Sequence, residues 1–164
     1  MILDLKKAFA AENYSESFHL QLDLSDIELS GLHPLGEPVE VSAEVRTSAG
    51  VVTLKTHCEA CYNAPCDRCA TNCSESVVVD REYILAREVE NEDNDDILLV
   101  TESELNLAEL CRTDVLLQLP MKHLCSLDCK GLCSNCGANL NEQNCDCNKK
   151  QIDPRLAKLA ELLD

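Results

Sequence analysis

The chain has 164 residues, with 30 Asp and Glu against 14 Lys and Arg, a formal net charge of −16 and no Trp. A field of that sign repels phosphate backbones at long range, and two Phe and three Tyr leave few rings for stacking on bases. Extensive direct binding of RNA or DNA is therefore not the expected activity, and a basic protein partner is the more natural expectation.

The opening MILDLKKAFAAEN has no basic n-region, and its apolar residues are interrupted by Asp4, Lys6 and Lys7, so it does not read as a secretory signal. In SFHLQLDLSDIELSG (17–31), Phe18, Leu20, Leu22 and Leu24 alternate with His19, Gln21 and Asp23, the pattern of a half-buried strand. PVEVSAEVR (38–46) repeats it with Val39, Val41, Ala43 and Val45. SAG (48–50) marks a turn and VVTLKT (51–56) a returning strand, together a hairpin. SVVVDREYIL (76–85), rich in β-branched residues, is a further strand. The stretch 88–104, EVENEDNDDILLVTESE, holds eight acids and no base and reads as a solvated loop. It lacks the residue order of a calcium loop.

ESELNLAELCRTDVLLQLP (102–120) is expected to be helical, with Leu107, Leu110, Cys111, Val115 and Leu119 on one face and Pro120 as the stop. Cys111 on that face reads as a small buried hydrophobe. IDPRLAKLAELLD (152–164) predicts a terminal helix, with Asp153 as N-cap and Pro154 at the first helical position. The longest apolar runs, such as ILLV (97–100), are too short to span a membrane, so a cytoplasmic protein is expected. Residues 121–164 carry six bases and six acids, so the whole of the −16 lies in residues 1–120. The domain expectation follows: an acidic β-rich domain over 1–120 ending in a helix, and a Cys-rich module with a terminal helix over 121–164.

Twelve cysteines in a reducing compartment point to metal or redox chemistry rather than a disulfide framework. CSNCG (133–137) has the C-x₂-C spacing that turns both sulfurs toward one ion, and CDC (145–147) follows eight residues later. Cys133, Cys136, Cys145 and Cys147 thus offer a closed zinc-ribbon-like set. For Cys125 and Cys129 two pairings are open. They can join Cys66 and Cys69 of CDRC across the fold, the preferred version, or Cys58, Cys61, Cys66 and Cys69 can form a local site. The first leaves Cys58, Cys61 and Cys73 spare; His57 and His123 are possible substitute ligands. A thioredoxin-like pair needs C-x₂-C opening a helix, whereas CDRC runs into ATNCSESVVV without helical periodicity. No GxSxG, P-loop, GxGxxG or HExxH is present, and four cysteines around zinc leave no open position for water. The expectation is a non-enzymatic, zinc-binding protein. The competing expectation is a zinc- or redox-responsive regulator with labile thiols.

CDRC (66–69), ELNLAELCRTDVLLQLP (104–120), CSLDCKGLCSNCGANLNEQNCDC (125–147) and DPRLAKLAELL (153–163) resemble, in that order, the YceD family of bacterial proteins. HCEAC (57–61) has no counterpart in it. The resemblance implies a role in accumulation of the large-subunit (23S) ribosomal RNA, and so in large-subunit assembly. An acidic body is unsuited to gripping that RNA, so the expected partner is a basic ribosomal protein or an assembly intermediate. The acid run and sheet face would meet this partner, and the neutral ribbon could touch RNA locally. The fold expected is α+β: an antiparallel sheet or partly open barrel with one or two helices, plus a small C-terminal zinc-ribbon-like module.

Overall fold

A computed structural model describes residues 1–88 and 97–147. In chain order these form β1 (Ile2–Asp4), α1 (Lys6–Ala10), β2 (Tyr14–Leu22), β3 (Val39–Ser48), β4 (Val51–Pro65), β5 (Asn72–Ala86), β6 (Ile97–Leu99), β7 (Glu104–Asn106) and α2 (Leu107–Gln118). The class is α+β with open sheets rather than a closed barrel. One sheet has the order β2-β3-β4-β5-β6 and the other pairs β1 with β7.

The period-2 pattern of the sequence becomes the register of the large sheet. Residues Val39, Val41, Ala43 and Val45 of β3 are buried, as are Val52, Leu54, Cys58 and Ala60 of β4 and Val77, Val79, Tyr83 and Leu85 of β5. Each fully buried Val or Leu contributes about 1.5–3 kcal/mol. β3 and β4 are antiparallel, Val45 opposite Leu54 and Val41 opposite Cys58, joined at Ala49 and Gly50, both with positive φ, as a tight hairpin demands. The other face of the sheet is polar, carrying Ser42, Glu44, Lys55, His57, Asp80 and Glu82.

The helix α2 lays Leu107, Cys111 and Val115 into the same core. Cys111 is fully buried. Asp114 is buried on that face too, and its Oδ1 accepts a 2.5 Å hydrogen bond from the Tyr83 hydroxyl. Burial, with the Asp114 carboxyl beside it, raises the Tyr83 pKa.

Two expectations differ from the structure. The helix begins at Leu107 rather than 102, because Asn106 caps it by accepting from the Glu109 amide, while Glu104–Asn106 pairs with β1 as a strand. The acid stretch is not loop throughout: Ile97–Leu99 adds to the sheet in parallel with β5. Residues 89–96 and the expected terminal helix lie outside the described residues. Among the described residues no helix is long and apolar enough to cross a membrane.

The chain divides into two compact units. One comprises Met1–Ala64 with Cys73–His123, and the other Pro65–Asn72 with the chain from Leu124 onward. The CDRC turn, between β4 and β5, lies in the second unit.

Candidate metal centres

The second unit is built on one backbone device used twice. In the CDRC turn the Ala70 amide donates to the Cys66 carbonyl at 2.8 Å and the Cys66 amide to the Thr71 carbonyl at 2.9 Å. In CSNCG the Gly137 amide donates to the Cys133 carbonyl at 2.9 Å and the Cys133 amide to the Ala138 carbonyl at 2.8 Å. Each turn is closed by a left-handed residue, Ala70 at φ 56° and Gly137 at φ 73°. Such a turn aims both sulfurs of a C-x₂-C to one side.

The turns interlock with the rest of the unit through the backbone. The Leu132 amide donates to the Arg68 carbonyl at 3.0 Å, and the Leu140 amide to the Gly131 carbonyl at 2.9 Å. Gly131, at φ 75°, lies so close to Arg68 that a Cβ there would stand 3.0 Å from the Arg68 carbonyl oxygen. The Arg68 guanidinium donates to the Cys129 carbonyl at 2.9 Å.

These contacts bring eight cysteines into two sets, Cys66, Cys69, Cys125 and Cys129, and Cys133, Cys136, Cys145 and Cys147. Within each set all sulfurs lie within 4.8 Å of one another. Cys66 Sγ is 3.8 Å from Cys129 Sγ, and Cys69 Sγ is 3.5 Å from Cys125 Sγ. A tetrahedral ion with metal–sulfur bonds of about 2.3 Å sets its sulfurs about 3.8 Å apart, so the spacing fits. Cys145 and Cys147 serve in one set although a single residue separates them.

The electrostatics suit a cation. Backbone amides of Cys125, Cys69 and Arg68 aim at Cys66 Sγ and hold its pKa down to about 6 against burial. Amides of Cys136 and Asn135 do the same for Cys133, also to about 6. Crowding produces the opposite shift nearby. Cys125 is pushed up to about 12 by Cys69 and Cys129, and Cys147 to about 12 by Cys136. A divalent cation would relieve the repulsion among four like charges and displace the protons. Asn141 adds a donor that the spacing of cysteines does not announce: its Nδ2 lies 3.2 Å from Cys129 Sγ. Either set could therefore hold one metal ion.

The remaining cysteines are placed elsewhere. All twelve lie among the described residues, and none is in a disulfide. The local alternative, Cys58 and Cys61 with Cys66 and Cys69, is not assembled. HCEAC lies inside strand β4, where residues three apart face opposite sides. Cys58 accordingly enters the core while Cys61 is only half-buried. Cys73 Sγ lies 3.1 Å from His123 Nε2. His123 is buried, with its Nδ1 3.2 Å from Glu75 and its ring edge-on to Tyr62. His57 is held by Asp80 at 2.7 Å and Glu59 at 3.1 Å. Neither histidine joins a cysteine set.

Comparison with known proteins bears on the same region. The family model described as Large ribosomal RNA subunit accumulation protein YceD matches residues 54–163, which include all eight clustered cysteines. The Large ribosomal RNA subunit accumulation protein YCED homolog 1, chloroplastic, of Arabidopsis thaliana is 26% identical over 160 residues, covering 79% of this chain and 50% of that protein. Uncharacterised proteins of Mycobacterium tuberculosis and Mycobacterium bovis are each 36% identical over 74 residues, 45% of this chain and 35% of theirs. The chain thus spans half or less of the length of these curated relatives. No solved structure matches it.

Proposed function

The chain belongs to the YceD family, and on that premise we propose that it supports accumulation of the large-subunit (23S) ribosomal RNA. In this reading it is a non-enzymatic cytoplasmic protein, stapled by two zinc ions and acting through a basic ribosomal protein or an assembly intermediate that contains one. The observation that carries the reading is the convergence of eight cysteines into two four-sulfur sets. Four thiolates close a zinc shell, leave no position for water or substrate, and make the metal a folding element.

Charge supports the choice of partner. With −16 on the chain and all of it in residues 1–120, long-range attraction favours a basic protein over a phosphate backbone. The near-neutral C-terminal segment is the part suited to local RNA contact. Affinity purification at physiological salt tests this. A basic large-subunit protein that stays bound after nuclease treatment is expected; recovery of RNA without any ribosomal protein would overturn the partner assignment.

The exposure of Cys125 and Cys136 favours one second reading, a zinc- or redox-responsive regulator. Native mass spectrometry after mild peroxide separates the two. Retained metal supports the staple, and metal loss with disulfide formation supports the regulator.

A further inference from the structure

We propose that the free edge of β2 is the docking site, and that its occupant is an extended segment of a protein partner in which apolar and basic residues alternate. This deepens the functional reading above and rests on its basic protein partner. β2 is the outermost strand of its sheet and is nine residues long. Among the described residues no backbone hydrogen bond from outside the sheet reaches 14–22. Every second residue of such a strand presents an amide and a carbonyl outward, a template for one more strand. At the opposite edge β6 pairs only with Ile84–Ala86, the last three residues of β5.

Edges that stay unpaired are commonly blunted by Lys, Pro or a bulge. YSESFHLQL contains neither Lys nor Pro, and its one charged residue, Glu16, is acidic. That charge opposes pairing with a second copy of this chain and favours a basic strand.

The two sides of the edge differ in chemistry. On the core side, Tyr14, Glu16 and Phe18 border a groove of about 280 Å³ whose far wall is Met1, Ile2 and Leu3 with the charged pair Asp4 and Lys7 at its rim; Ile2 there is 65% exposed. On the other side, Ser17 and His19 lead onto the polar sheet face with Glu44, Asp80 and Glu82. There Ser15 donates to Glu44 at 3.0 Å and Gln21 to Glu40 at 2.6 Å. Five acids on this face (Glu40, Glu44, Glu59, Asp80, Glu82) outnumber the bases beside them, Arg46, Lys55 and Arg81. Side chains of an added strand alternate between the two sides, so its apolar residues meet Ile2 and Phe18 while its basic residues meet the glutamates.

The probe is a synthetic peptide of about ten alternating lysines and valines, long enough to cover the strand, added to the full chain. Binding should slow hydrogen exchange at amides of 14–22. It should weaken at least tenfold when two adjacent central peptide nitrogens are methylated, which blocks both edges of the peptide while keeping its charge. A glutamate–valine peptide should not bind. Ile2→Asp and Glu44→Lys, both outside the cores of the units, should each weaken binding several-fold.

Equal affinity for the methylated peptide, protection at other strands, or unchanged affinity in both variants would overturn the proposal. So would concentration-dependent protection of 14–22 without peptide, since a second copy would then be the occupant. A basic ribosomal protein recovered in the affinity purification, with β2 still unprotected, would remove this docking site and leave the functional reading standing. Absence of any basic partner would remove both.

Discussion

Ala70 and Gly137 hold the same position in two copies of one turn, four residues after the first cysteine, and both are left-handed, at φ 56° and 73°. In each the amide closes onto the carbonyl of that cysteine, at 2.8 and 2.9 Å. An L-residue is strained there by about 1–2 kcal/mol, partly offset by the chain entropy that glycine loses on folding. A Cβ at Gly137 would meet no atom within 4 Å, so substitution at this pair isolates the backbone term. Gly137→Ala should cost about 1 kcal/mol, and Ala70→Gly should be neutral or stabilising by about 0.5 kcal/mol. Chelator-challenge unfolding of the two variants reads both signs; a destabilising Ala70→Gly would count against the shared turn.

Gly131 answers to two constraints at once, a φ of 75° and an Arg68 carbonyl 3.0 Å from where a Cβ would sit. The neighbour is backbone, held in turn by the Leu132 amide at 3.0 Å, and cannot swing aside. Gly131→Ala should therefore cost about 2–3 kcal/mol, more than Gly137→Ala, and loosen metal retention by the Cys66 set. Equal losses in the two variants, measured by the same unfolding assay, would show that the close approach to Arg68 does not matter.

The partition of thiols makes a prediction for single substitutions. Cys69→Ser and Cys136→Ser each remove one sulfur from a different set, and each should lower bound metal by one ion per chain. Cys61→Ser changes a half-buried residue outside both sets and should leave the metal content unaltered. Metal analysis of the purified variants decides it. A loss of metal in Cys61→Ser would point to a different ligand assignment.

His57 lies between two carboxylates on the polar face of the sheet, and Asp80, then Glu59, raise its pKa above the ordinary histidine value. The raised value fixes the sign. Stabilisation by this cluster is fully present below the unfolded pKa of about 6.5 and is lost as pH rises through the folded value. The groups are exposed and screened by salt, so the effect on stability is small. The titration itself is the better observable. By NMR, the His57 midpoint should lie above the ordinary value and fall in Asp80→Asn; an unshifted midpoint in both proteins would contradict the geometry.

How far the sequence could be read depended on whether an element's determinants are local. Val39, Val41, Ala43 and Val45 alternate strictly, so their strand and its buried face were legible from period alone. The hairpin at 48–50 was legible from its turn residues. The continuation of β4 through HCEAC was not, because Cys58 and Cys61 suggest ligands while their spacing within a strand sends them to opposite faces. Glu104–Asn106 becomes a strand only by pairing with Ile2–Asp4, about a hundred residues away in the chain. No local propensity reports that. Within the two cysteine sets the C-x₂-C spacings announced the two turns. The roles of Arg68, Gly131 and Asn141, which depend on segments meeting in space, carried no such signature.

The central claim, that eight cysteines form two closed four-sulfur metal centres, is tested most directly by native mass spectrometry with zinc-edge absorption on the full chain. Two zinc ions per chain are predicted, each surrounded by four sulfurs at about 2.3 Å with no nitrogen or oxygen in the shell. One ion or none, or a shell containing histidine nitrogen, would contradict it.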